Sequence, residues 1–266
     1  MSSTTPQRSV ARPQPRTLGS NRAKALVPFA VAALCIGVPL LALSTAIKPE
    51  GPFMLASTLL GLVLPALYLT HREGGGAAVR ALLRDCVRLP NSRWWLPLAA
   101  FVIPVATWTA GAASGGGKPL DWDLVSFYIA DLLIGAVVIN IWEEMAWTGF
   151  FQRRAAGRWG AVGGALMTSL FFTALHSPLA FDDVPSTSAV ATNLVAIAGV
   201  ATGVRLLIAR VDSWTGRSLL TIGLLHSSFN ASESLVRPDY DFLRIAVTIA
   251  LGVGVIACGR RRHPSA

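Results

Sequence analysis

The sequence predicts an all-α polytopic membrane protein, with about eight transmembrane helices and one amphipathic helix lying at the interface. Composition is the first observation behind this. Of 266 residues, 53% are hydrophobic and only 14% charged, against about 25% charged in a soluble domain. Length is the second, because apolar runs able to cross a hydrocarbon core of about 30 Å recur from end to end. The third is the basic residues, which alternate from side to side as a membrane topology requires.

In chain order, residues 1–25 are polar, basic and rich in Pro and Ser, and read as a disordered cytoplasmic tail. They are too long and too proline-rich for the leading region of a signal peptide. Apolar runs follow at about 26–46, 52–70, 94–113, 124–150, 160–177, 189–209, 215–232 and 242–259. Together, 26–259 make a single membrane-embedded domain, and 260–266 form a second basic cytoplasmic tail. The fifth and seventh runs are short, and each holds a histidine. Between the second and third runs, Arg80, Arg84 and Arg88 recur every four residues, with Leu82, Leu83 and Val87 on another face. That is the pattern of an amphipathic helix in the headgroup region. Trp94, Trp95, Trp122, Trp159 and Trp214 fall near run ends, where indoles settle at the membrane interface.

With the N-terminus inside, Lys48, Lys118, Arg237 and Arg244 fall outside, leaving 19 of the 23 basic residues on the cytoplasmic side. Both termini are then cytoplasmic, and the expected location is a bacterial plasma membrane. The formal charge of +9 goes to orientation and to anionic lipid headgroups, so nucleic acid is not expected as a partner. Cys35, Cys86 and Cys258 form no CxxC pair and no even framework, so neither disulfides nor a cysteine metal site is indicated.

Against this apolar background the stretch INIWEEMAWTGFF stands out, because Glu143 and Glu144 are adjacent inside a predicted span. An ionised group at the bilayer centre costs about 2.5–3.5 kcal/mol on insertion scales. Two of them imply partners or chemistry. The partners on offer are His176 in SLFFTALHSP, four residues after Phe172, and His226 in GLLHSSFNAS, four residues before Asn230. Spacing of four puts each pair on one helix face. A lone intramembrane histidine is as often helix-to-helix glue, but two glutamates, two histidines and an asparagine in three spans make a set.

The order Glu-Glu, then Phe-xxx-His, then His-xxx-Asn resembles the CAAX-protease and bacteriocin-processing family of intramembrane endopeptidases, over about residues 124–232. The resemblance implies hydrolysis of a peptide bond in a membrane-associated peptide or protein. It assigns Glu143 and His176 to activation of water, and His226 and Asn230 to the oxyanion hole. Glu144, roughly 100° away on an ideal helix, is expected to orient a neighbour. Asn140 lies on the side of Glu143, and Phe172 packs beneath His176. The family's first motif reads Glu-Glu-xxx-Arg; here Thr148 stands at the arginine position, so Glu144 is expected to lack its cationic partner.

No cofactor is expected, although Glu143, His176 and His226 could make a catalytic zinc site with water in the fourth position. A non-catalytic relative that binds lipid, peptide or a partner protein is the other alternative. Proton transport lacks an inverted repeat to support it. Asp131, also within the fourth run, is expected to be peripheral. Depth leaves one conflict. Glu143 lies ten residues from Arg153, or roughly 15 Å, and His226 is at a similar level, whereas His176 lies eighteen residues beyond Arg158. Either that helix starts near Val162 or it is tilted.

Overall fold

In the computed structural model, which describes residues 24–182 and 186–260, the chain is helical nearly throughout. The proposed N-terminal tail, apart from Lys24 and Ala25, and most of the C-terminal one, with His263, lie outside the described residues. Seven helical stretches follow one another: α1 (Leu26–Ala46), α2 (Gly51–Cys86), α3 (Trp95–Ala113), α4 (Trp122–Phe181), α5 (Thr187–Trp214), α6 (Leu219–Ala231) and α7 (Phe242–Arg260). An all-α polytopic membrane protein is thus what the chain forms. Among the described residues six stretches are long and apolar enough to cross a membrane, against eight apolar runs in the sequence. The fourth and fifth runs share one sixty-residue stretch, α4, broken at Gly160, and the seventh is α6, only thirteen residues long.

The break at Gly160 corrects the boundary between the fourth and fifth runs. Its φ of 73° lies in the left-handed region that glycine alone visits freely, so the first arm of α4 runs on to residue 159 before the chain reverses. This also removes the conflict in depth. Glu143 stands seventeen residues before Gly160 and His176 sixteen residues after it, so the two arms carry them to the same level. A second hairpin does the same for α5 and α6. Gly216 and Arg217, with φ of 69° and 67°, turn the chain, placing Arg205 eleven residues before Gly216 and His226 ten after it.

Glycines also set how closely the helices approach. A Cβ on Gly61 of α2 would meet the Gly37 Cα of α1 at 2.7 Å, and one on Gly252 of α7 would overlap the Gly203 carbonyl of α5. Close backbone contact of this kind, rather than a hydrophobic driving force, is what joins helices in lipid. The aromatic core lies between α1 and α4, where Phe29, Trp147, Phe150, Phe151 and Phe172 pack ring on ring.

The amphipathic helix is present as residues 76–86, separated from the rest of α2 by non-helical Gly74 and Gly75. Its buried positions are Leu82 and Cys86; Leu83 and Val87, expected on the apolar face, are exposed. The reason is register: Leu82 docks where Gly149 of α4 leaves room, a Cβ there standing 2.8 Å from Leu82 Cδ1 and 2.9 Å from Leu219 Cδ1. Arg80 and Arg84 are exposed on the opposite side.

An ion cluster ties this helix to the others. Arg153 donates through Nη1 to Asp85 at 2.7 Å and through Nη2 and Nε to Asp212 at 2.8 and 3.1 Å. The Ser218 hydroxyl donates to the Arg88 carbonyl at 2.5 Å while it caps α6 by accepting from the Thr221 amide.

Candidate active site

The adjacent glutamates occupy a single α-helical turn, Ile141–Glu144, between two π-helical stretches, Ala136–Asn140 and Met145–Gln152. π-Bulges change the phase of a helix locally and recur at functional sites. The same irregularity makes ideal-helix phase a poor guide to Asp131, which is exposed on the surface of α4.

Glu144 is fully buried and takes four hydrogen bonds. Arg205 of α5 grips it with both terminal nitrogens, Nη2 to Oε1 at 2.5 Å and Nη1 to Oε2 at 2.9 Å. Thr148 Oγ1 donates to Oε2 at 2.5 Å, and His226 Nδ1 donates to Oε1 at 2.8 Å. Arg205 is itself fully buried, with its guanidinium 4.7 Å from the centre of the Phe172 ring. Two ions inside a membrane are tolerated only when paired and hydrogen-bonded, as this fork is. The expectation that Thr148 leaves Glu144 without a cation is therefore overturned. Arg205 supplies the charge from a helix sixty-one residues away, a distance at which no local motif could reveal it. The one signal in the sequence was an arginine inside the sixth apolar run, near its end, which the charge alternation assigns to the cytoplasmic side.

Glu143 points elsewhere, as the geometry of adjacent helical residues requires. It is buried, at 8% exposure, and its Oε1 accepts from Thr58 Oγ1 of α2 at 3.1 Å. Thr58 was not picked out from the sequence, where nothing distinguishes it from other span threonines. His176 stacks on Phe172 with ring centres 4.0 Å apart, and its Nδ1 lies 2.8 Å from the Phe172 carbonyl. A carbonyl can only accept, so Nδ1 carries the proton and Nε2 presents a lone pair. Glu143, His226 and Arg205 all lie close enough to act electrostatically on His176.

His226 reaches Glu144 because α6 and α4 touch backbone to backbone. A Cβ on Gly223 would stand 2.8 Å from Ile141 Cα, and three residues on from each lie His226 and Glu144. The Phe172 ring also contacts His226, at 5.9 Å between centres. One phenyl ring thus touches both imidazoles and the arginine. Asn230, one turn beyond His226, is exposed, and Asn140 is buried. Neither amide hydrogen-bonds to another side chain among the described residues. Nor, among those residues, do three His, Cys, Asp or Glu side chains gather in a group able to hold a metal ion.

Fold and site together define a polytopic α-helical membrane protein with a carboxylate–histidine centre buried between its helices. Residues 125–232 match the family described as type II CAAX prenyl endopeptidase Rce1-like, the family that the Glu-Glu, Phe-xxx-His and His-xxx-Asn motifs resemble, and they contain every one of those motifs. Over those residues the chain is similar to CAAX-type membrane proteases. No curated protein matches the chain.

Proposed function

We propose that the protein cleaves a peptide bond of a membrane-associated substrate by attack of water, with Glu143 as the general base. The observation that carries this reading is the way both imidazoles are tied. The Nδ1 of His176 is held by the Phe172 carbonyl and that of His226 by Glu144, so each ring offers its Nε2. In His176 that Nε2 accepts a hydrogen bond from the water that Glu143 deprotonates, and the two groups together hold the nucleophile. Hydroxide adds to the scissile carbonyl carbon, and the proton held on Glu143 passes to the leaving amine.

The oxyanion is met by His226 Nε2–H and by the Asn230 amide. Donation from both ring nitrogens at once is made by the imidazolium form, with the Glu144 carboxylate on its Nδ1 side. Asn230 is exposed and open to a substrate carbonyl. No step needs a metal, and Arg205 supplies the cation that the motif lacks at position 148.

The topology proposed with this function puts both termini on the cytoplasmic side of a bacterial plasma membrane, with exposed Arg80 and Arg84 on anionic headgroups. The test is cleavage of a fluorogenic farnesylated CAAX peptide by purified protein in liposomes. Activity in the parent protein and none in folded Glu143→Gln is the expected result. Equal activity in both would overturn the mechanism.

A further inference from the structure

We infer that Arg205 is the positioning residue of this site: by gripping Glu144 from α5 it fixes the tautomer and aim of His226, and it does so in the space that Thr148 leaves open. The inference rests on the proposed role of His226 for its catalytic consequence, but its structural content stands apart from cleavage.

Arg205 acts through Glu144. The bidentate fork fixes the plane of the Glu144 carboxylate, with Oε1 shared between Arg205 Nη2 and His226 Nδ1 and Oε2 shared between Arg205 Nη1 and Thr148 Oγ1. A carboxylate held in that plane accepts from His226 at Nδ1 and leaves Nε2 free. Without the fork the carboxylate keeps only the single bond from Thr148 Oγ1, about which it can turn, and its hold on one imidazole nitrogen is loosened. Lysine would not serve, because a point charge with one good contact does not set the plane.

Thr148 and Arg205 are coupled by space. Their side chains meet at 3.3 Å, Nη1 to Oγ1, and Thr148 already reaches Glu144 from one turn away. An arginine at position 148 would approach the same carboxylate along its own helix, in the favourable order of acid before base. It would occupy the volume that Arg205 now fills. The two positions are thus alternative sources of one cation, and this chain uses the second. A cation at both would crowd two like charges onto one carboxylate, so Thr148→Arg alone is harmful while the reciprocal exchange is not.

Histidine-selective nitrogen-15 NMR reads this directly. The chain has four histidines, so His71→Gln with His263→Gln leaves only His176 and His226. At a pH where the rings are neutral, both should show a proton on Nδ1 in the parent protein. Arg205→Thr should spread the His226 signal over both tautomers and leave His176, tied to the Phe172 carbonyl, unchanged. The exchange Thr148→Arg with Arg205→Thr should restore His226. If Arg205→Thr does not fold, Arg205→Lys keeps the charge and should show the same loss in part.

An unaltered His226 in the folded Arg205 variants would overturn the inference, as would equal disturbance of His176 and His226, or an exchange that folds without restoring His226. On the farnesylated CAAX peptide, kcat should fall by about 10²-fold in Arg205→Lys, as misplacement of a catalytic group by about 1 Å does, with KM little changed. A parent protein that fails to cleave the peptide would sink the protease reading, and the NMR would still decide the position of His226.

Discussion

His176 is bound twice to Phe172, by a ring stack of 4.0 Å and by a hydrogen bond of 2.8 Å from its Nδ1 to the Phe172 carbonyl. The spacing of four, which puts the two residues on one helix face, is what allows both. Phe172 is also packed in the aromatic core against Trp147 at 5.7 Å, so the histidine inherits the rigidity of that core. Replacing Phe172 by Ala should destabilise the fold by about 3–5 kcal/mol and lower kcat through a loosened His176. Phe172→Leu should recover most of the stability and less of the activity. Thermal unfolding in detergent alongside steady-state cleavage separates the two.

Stability should tell the adjacent glutamates apart. Glu144→Gln leaves Arg205 buried without its counter-ion, and breaking a buried pair in this way costs about 3–5 kcal/mol. Glu143→Gln keeps an oxygen that accepts from Thr58 Oγ1 and should unfold near the parent temperature, while cleavage disappears. Equal melting of the two variants would contradict the placement of the pair.

Asp131→Asn should retain cleavage within about twofold, because an exposed surface substitution away from such features shifts energies by only about 0.5 kcal/mol and Asp131 sits on the open face of α4. A loss as deep as that of Glu143→Gln would place Asp131 in the chemistry after all.

Arg153 joins Asp85 and Asp212 with side chains 12–15% exposed. Arg153→Met should cost about 3 kcal/mol by stranding Asp212, while Asp85 keeps Arg88, and should release residues 76–86 from α4. Hydrogen exchange of that segment rising with no change near α7 is the expected pattern.

Chelation addresses the zinc alternative. Activity should survive prolonged treatment with a strong zinc chelator, since no metal-ligating trio gathers among the described residues. Loss on chelation with recovery on added zinc would replace the glutamate mechanism by a metal-assisted one.

The sequence by itself determined the class, the helical runs and the set of polar residues worth attention, because apolar length and charge alternation answer to the membrane and need no knowledge of packing. It marked Glu143, Glu144, His176 and His226 as unusual for the same reason: ionisable groups in hydrocarbon are costly wherever they point. What it could not decide was how those groups meet. The boundary at Gly160 depended on one backbone angle, and the burial of Leu82 rather than Leu83 on the space beside Gly149. The partner of Glu144 is Arg205, on α5 and outside the motif that lacks its arginine. Pairing across helices is set by how closely backbones approach at residues such as Gly223 and Gly203, and only the folded arrangement fixes that distance.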